Sequence, residues 1–416
     1  MRRRSWTKLV VGLVIVLYIA PPANSMHSPR EAAQLTSHQL DALLMNTAHP
    51  ENLLVAAIDA IRNTQLDQAH QIIDKLLERF PSYRLAYLIK GDLLLAKTQR
   101  LSGFGNTQKP ANSIDDLRQE ALARLQRYQL PPPIEQIPAN LLVLSSEYAV
   151  LIDTSSSRLY LYRSQQGIPQ YVRDFYITIG KLGDGKHREG DQKTPLGVYA
   201  VTGQLSRTQL DKTYGTQADL YGVGAWPISY PNEWDKRIGR DGHGIWLHGS
   251  PSDTYSRPPQ ASNGCVVLTN PDMSWLSNYL GVDTPVIITR QITWLSREAW
   301  QQQHQQALAQ IETWRNDWES LDIHRYLAHY GQNFSRKGSD LQRWKAQKIN
   351  IHRHKRWSKI KLEHINLFRY PIEQGMFVAT FKQDYRSNNF NHLMQKKLYW
   401  QQQQGQWKIV YEGAAS

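Results

Sequence analysis

Cys265 is the only cysteine among 416 residues, and it stands in the run Ser262-Asn263-Gly264-Cys265-Val266-Val267. His248 precedes it by 17 positions, in Leu247-His248-Gly249-Ser250. An imidazole within hydrogen-bond reach pulls a thiol pKa down from about 8.5 towards neutrality. Acyl transfer by such a thiolate needs a base and N–H donors where the oxyanion forms. Cys265 is the expected nucleophile and His248, closing the strand-like run Gly244-Ile245-Trp246-Leu247-His248, the expected general base. Gly264 permits a close backbone bend, so the N–H groups of Gly264 and Cys265 are expected to face the substrate. Asn263, or backbone carbonyls near Gly249 or Ser250, would orient the imidazole.

The first residues give the compartment. Arg2, Arg3, Arg4 and Lys8 precede the apolar run from Leu9 to Ala20, followed by Pro21-Pro22-Ala23-Asn24-Ser25. This reads as a secretory signal peptide over 1–25, with an apolar core short against the roughly 20 residues that span a bilayer. The expected location is the periplasm or cell envelope. A lone cysteine in an oxidising compartment has no internal disulfide partner, which favours a chemical role over a structural one. Net charge is +13, which favours an anionic partner. Outside the cytoplasm, wall polymers fit that charge better than nucleic acid.

The elements that must carry this chemistry change along the chain. Residues 26–130 read as helical. Leu53, Leu54, Ala57, Ile58 and Ile61 recur at three- and four-residue spacing, and Ala69, Ile72, Ile73, Leu76 and Leu77 repeat the pattern. With Pro81 ending that helix, the pair resembles a tetratricopeptide-type unit. Residues 131–140 are proline-rich and read as a stiff linker. The period changes at 141, where Leu142-Val143-Leu144, Tyr148 to Asp153 and Arg158 to Tyr162 read as strands. Further strands are expected at Asp174–Ile179, Gly197–Thr202, Val266–Leu268 and Pro285–Thr289. A Gln-rich linker helix is expected over 291–310. Residues 311–416 read as a helix and then long strands, 360–368, 376–385, 393–401 and 406–412, resembling an NTF2-like cone. The fold class is therefore multidomain α+β.

Other chemistries fit poorly. No His-x-x-x-His or carboxylate cluster accompanies the cysteine, so no metal site is expected. Gly180-Lys181-Leu182-Gly183-Asp184-Gly185-Lys186 lacks phosphate-loop spacing. The basic stretch 336–361 holds Trp344 and Trp357 and reads as a solvated face rather than a nucleic-acid site.

His248-Gly249 with Ser262-Asn263-Gly264-Cys265-Val266 resembles the signature of the L,D-transpeptidase (YkuD-like) catalytic domain. The resemblance covers roughly 141–290. It runs through Val150-Leu151-Ile152-Asp153, Lys193-Thr194-Pro195-Leu196-Gly197, Tyr230-Pro231-Asn232 and Gly281-Val282-Asp283-Thr284-Pro285. It implies attack by Cys265 on the diaminopimelate carbonyl of a peptidoglycan stem peptide, release of D-alanine, and aminolysis of the thioester without a cofactor. It also implies wall-anchored lipoprotein or other envelope proteins as partners of the flanking regions. One departure stands out: many members carry Arg two residues after the cysteine, where this chain has Val267. Arg257, Arg237 or Arg240 could supply the missing charge, and Ser262 is a further substrate-binding candidate. Hydrolysis on the same site, or a non-catalytic wall-binding scaffold, are the alternative functions.

Overall fold

The computed structural model describes residues 50–98, 105, 111–129, 131–336 and 339–415. The expected signal peptide lies outside the described residues. The chain divides into two compact units: one up to Leu130 together with Ser250–Pro259, the other Pro131–Gly249 with Gln260–Ser416.

The first unit contains helices α1 (Pro50–Arg62), α2 (Leu66–Arg79), α3 (Arg84–Ala96) and α4 (Ala111–Gln129). Leu54, Ala57, Ala69, Ile73, Leu76 and Ile89 form its core, as the three- and four-residue spacing requires. Phe80 caps α2 ahead of Pro81, a residue that cannot extend the ladder. Inside, Arg124 pairs with Glu51 at 3.2 Å and Glu120 at 3.0 Å.

In the second unit β1 (Ile137–Pro138) and β2 (Leu141–Val143) precede the central domain's strands. These are β3 (Tyr148–Asp153), β4 (Arg158–Gln165), β5 (Ile168–Tyr176), β6 (Ile179–Gly180), β7 (Gly197–Ala200), β8 (Leu205–Ser206), β9 (Gly224–Pro227), β10 (Trp246–His248), β11 (Gln260–Ser262), β12 (Val266–Val267) and β13 (Pro285–Thr289). Short helices α5 (Arg207–Tyr214), α6 (Glu233–Arg237) and α7 (Asn270–Leu276) lie among them. A five-stranded sheet has the order β5-β4-β3-β13-β7, and a four-stranded one β12-β10-β9-β8. Within β3 and β13, Val150, Ile152 and Ile288 enter one core while Leu151 and Ile287 enter a second. Burial on both faces is why these strands read as unbroken apolar runs.

The second core is shared with the C-terminal domain. There, β17 (Ser358–Arg369), β18 (Met376–Ser387), β19 (Asn391–Gln403) and β20 (Gln406–Ala414) form a long antiparallel sheet. Phe368, Met376, Val378 and Tyr399 pack on Leu151, Tyr160 and Ile287. Its other face holds α8 (Arg297–Glu319), α9 (Ile323–Ala328) and α10 (Leu341–His352) through Ile311, Trp314, Tyr326 and Trp344.

Three boundaries differ from the sequence reading. The strand at 141–143 joins β17 rather than the central sheet, with Leu367 opposite Val143. The proline-rich segment is not a bare linker, because β1 pairs with β14 (Trp294–Leu295). The helix expected to end near 309 runs to Glu319, because Ile311 and Trp314 continue its apolar face into the C-terminal core.

Candidate active site

β10 lies parallel to β12, with Leu247 opposite Val266 and His248 opposite Val267. Leu247 and Val266 are fully buried in the central core. Side chains alternate along a strand, so His248 projects from the face opposite Leu247, while Cys265 stands in the turn next before β12. Opposite His248 on β12 stands Val267, two residues beyond Cys265.

The imidazole is oriented locally. His248 Nδ1 lies 2.7 Å from the Gly249 carbonyl oxygen. Only a protonated Nδ1 donates there, which fixes the tautomer and makes Nε2 the basic nitrogen. The Gly249 N–H donates to the Tyr221 carbonyl at 3.1 Å. A Cβ on Gly249 would stand 2.2 Å from Asn270 Oδ1, so glycine is required there. The Tyr221 ring meets His248 edge-on at 5.3 Å. Burial and the neighbouring Cys265 push the Tyr221 hydroxyl pKa up.

The half-buried Cys265 thiol donates to the Gly244 carbonyl at 3.4 Å. Its turn is tied from three directions. Ser262 Oγ donates to the Cys265 carbonyl at 2.6 Å and accepts the Gly264 N–H at 3.1 Å. Thr194 Oγ1 accepts the Gly180 N–H at 3.0 Å and donates to the Gly264 carbonyl at 2.9 Å. Gly264 has φ +119°, and a Cβ there would meet the Lys193 carbonyl oxygen at 2.8 Å.

Several expected roles change. The Gly264 N–H is given to Ser262 rather than held out to the substrate. Ser262 is buried and knits the turn rather than lining an open surface. Asn263 is exposed and makes no side-chain hydrogen bond among the described residues, and it is the Gly249 carbonyl that meets the imidazole. Arg237 donates to the carbonyls of Asn333 and Val410 and to Ser335 Oγ. Arg240 is buried, 3.2 Å from Asp235 and bonded to the Leu196 carbonyl. Neither guanidinium is spare for a substrate carboxylate. Ser250 and Arg257 fold with the helical unit. Thr194, Tyr221, Gly244 and Asn270 are the contributors that residue-by-residue reading missed. Thr194 lies in a run used only for family likeness, and the others act through backbone or ring contacts that no spacing announces.

The C-terminal domain holds a separate, half-open pocket of about 530 Å³, lined by Trp318, Tyr326, Lys348, Gln383, Lys396 and Glu412 among others. Lys396 Nζ meets Glu412 Oε1 at 2.5 Å, and Tyr330 donates to Glu412 Oε2 at 2.6 Å. Burial pushes the Glu412 pKa up, but the Lys396 and Lys348 charges and the hydrogen bonds from Lys396 and Tyr330 outweigh it and hold the pKa at about 2. Trp344 is a core residue under Lys348, 4.2 Å away, and not a stacking platform. No group of three or more metal-ligating side chains occurs among the described residues.

A β-rich central domain joined through a shared core to a C-terminal domain of helices on a long antiparallel sheet is the multidomain α+β architecture that the sequence reading expects. Residues 147–288 match the L,D-transpeptidase catalytic domain (YkuD), and residues 306–413 match the Cds6 C-terminal NTF2-like domain. Among solved structures, Bd1075 of Bdellovibrio bacteriovorus is 27% identical with a TM-score of 0.59, over 67% of this chain and 98% of its own. Pgp2 of Campylobacter jejuni, described as a helical cell shape determining protein, is 25% identical with a TM-score of 0.54, over 70% of this chain and 99% of its own. No match to a curated protein was found.

Proposed function

We propose that this protein is an exported, cysteine-dependent peptidoglycan L,D-transpeptidase. The observation that supports this most is that Cys265 stands at the entrance to β12, beside the parallel β10 that ends in His248, with the imidazole Nδ1 engaged by Gly249. The L,D-transpeptidase family acts on peptidoglycan stem peptides, which supplies the substrate class. Cys265 Sγ bonds to the carbonyl carbon at the L-centre of diaminopimelate as its proton passes to His248 Nε2. The resulting oxyanion accepts the Cys265 N–H. The C–N bond to the terminal D-alanine then breaks, and its amine takes the proton from the imidazolium. An acceptor amine attacks the thioester, gives its proton to His248 and expels the thiolate. The product is a 3→3 cross-link or a protein-to-wall bond.

Hydrolysis of the same thioester is a second reading. Val267 at the usual arginine position, with Arg237 and Arg240 internally engaged, favours an altered substrate or acceptor. The likeness to Pgp2 supports a role in cell shape. No described helix is long and apolar enough to cross a membrane. The positively lined C-terminal cavity supports contact between that domain and wall polymer. The test is D-alanine release and product mass from disaccharide-tetrapeptides, with and without an added amine. Cys265→Ala should abolish both release and coupling; undiminished release would refute the reading.

A further inference from the structure

One end of the C-terminal sheet is both apolar and cationic. From Leu341 to Leu362 the chain carries eight lysines and arginines and no aspartate or glutamate. The connection 353–357, between α10 and β17, is bonded to the turn that joins β18 to β19. The Arg356 N–H donates to Asn388 Oδ1 at 2.9 Å, and Asn388 Nδ2 donates to the His354 carbonyl at 3.2 Å. Lys355 Nζ donates to Ser387 Oγ at 2.8 Å. Ser358 stands opposite Ser387, and Lys359 opposite Arg386. Trp357, next before Ser358, therefore lies at the same end of the sheet as the turn carrying Phe390. Leu393 follows on β19, opposite Asp384, which itself faces Lys361 across β17.

Three large apolar side chains are held in water here: Trp357 is 46% exposed, Phe390 54% and Leu393 60%. The exposure is built rather than accidental. Ser387 Oγ accepts the Phe390 N–H at 3.0 Å and donates to its carbonyl at 2.7 Å. The Phe390 ring stacks on His392 at 5.8 Å. Arg353, Arg356 and Lys359 are exposed on the same segment, and none of them is ion-paired among the described residues. The carboxylates of the adjoining strands are already taken, Asp384 by Arg386 and Glu363 by Lys361. An exposed apolar patch rimmed by charge marks an interaction surface.

We infer that this end of the sheet docks on an anionic phospholipid surface. Trp357, Phe390 and Leu393 enter the boundary between headgroups and acyl chains, while Arg353, Arg356 and Lys359 meet lipid phosphates. Peripheral attachment combines these two terms, apolar burial and attraction to anionic lipid, and tryptophan favours that boundary. A wall polymer would answer the cations but offers Phe390 and Leu393 no apolar phase to enter, which favours lipid. Docking of this kind depends on neither the thiol chemistry nor the pocket of the same domain.

The test uses residues 26–416, without the expected signal peptide, so that its apolar run adds nothing. The protein is floated with vesicles of phosphatidylcholine alone, or of phosphatidylcholine with an equal part of phosphatidylglycerol. The parent should partition about tenfold more strongly onto the anionic vesicles, and less so as salt is raised from about 0.05 to about 0.5 M. Trp357→Ser/Phe390→Ser/Leu393→Ser should lower that partition about tenfold. Arg353→Gln/Arg356→Gln/Lys359→Gln should remove the preference for anionic lipid. Lipid and salt dependence of the parent decide by themselves if a variant misfolds. A parent that stays off the anionic vesicles, or folded variants that partition as the parent does, overturns the inference. Isolated sacculi form the second arm: capture by sacculi that these substitutions abolish, without vesicle binding, would make the surface wall-directed and overturn the lipid assignment.

Discussion

Replacing Thr194 by valine removes one buried hydroxyl and almost no volume. In the native site Thr194 is fully buried, and that hydroxyl accepts from Gly180 and donates to Gly264. Valine would orphan both backbone groups where water does not reach. Each buried unsatisfied group costs about 1–3 kcal/mol, although a carbonyl with a second lone pair suffers less than an N–H. The expected loss is therefore about 2–5 kcal/mol, which a domain of about 5–15 kcal/mol survives folded. Catalysis should suffer more than stability suggests, because the Gly264 carbonyl fixes the turn that aims Cys265. A misplacement of about 1 Å at a reacting centre costs about 100-fold. Thr194→Ser keeps the hydroxyl and should retain most of the rate. Urea midpoints and D-alanine release, measured side by side on the two variants, check this. Thr194→Val with parental midpoint and parental rate would refute the claim that Thr194 ties the nucleophile turn.

Two further outcomes follow from single contacts. Asn263→Ala should keep D-alanine release within about twofold, because no hydrogen bond is lost and the Gly249 carbonyl orients the base; a 100-fold fall would restore Asn263 as the orienting group. The depressed Glu412 pKa, about 2 against an ordinary 4.5, means the unfolded chain binds the proton more tightly. Its contribution is complete above the ordinary value and is lost as pH falls through the folded one, a few kcal/mol between about pH 4.5 and 2. Denaturant midpoints across that window should show the slope in the parent and a flatter line in Lys396→Met/Glu412→Gln, which removes the titrating carboxylate together with its ion-pair partner.

The proposed nucleophile and base were chosen by residue type, one cysteine and a histidine at a strand end, and the structure places His248 at the end of β10 and Cys265 next before the parallel β12. The long C-terminal strands were legible from alternation, and their observed limits exceed the expected ones by only a few residues. Burial on both faces left β3 and β13 apolar throughout, so the sequence announced strands but not which sheet would cover them. That second cover, the C-terminal sheet, is also why Leu141–Val143 was assigned to the wrong neighbour: an edge strand's partner depends on tertiary packing and not on its own pattern. The arginines failed for a related reason. A guanidinium reads the same whether it meets a substrate carboxylate or neutral internal acceptors, and Arg237 meets two backbone carbonyls and a serine hydroxyl.

The shared core also decides what the C-terminal domain can be. If it were an independent wall-binding module, removing it would leave a folded enzyme with altered location. Leu151, Tyr160, Tyr162, Val198 and Ile287 of the central domain are all buried in the core shared with the C-terminal sheet. Exposing five such side chains forfeits about 1.5–3 kcal/mol each, on the order of 10 kcal/mol together, comparable to the whole stability of a domain. Truncation before α8 should therefore yield insoluble protein or a broad, early thermal transition, and loss of D-alanine release for reasons of folding alone. A truncated chain with a sharp parental transition and full release would refute the shared-core argument. Targeting by this domain is accordingly tested with substitutions in its cavity, away from that core, such as Lys348→Gln, where the central sheet keeps its cover.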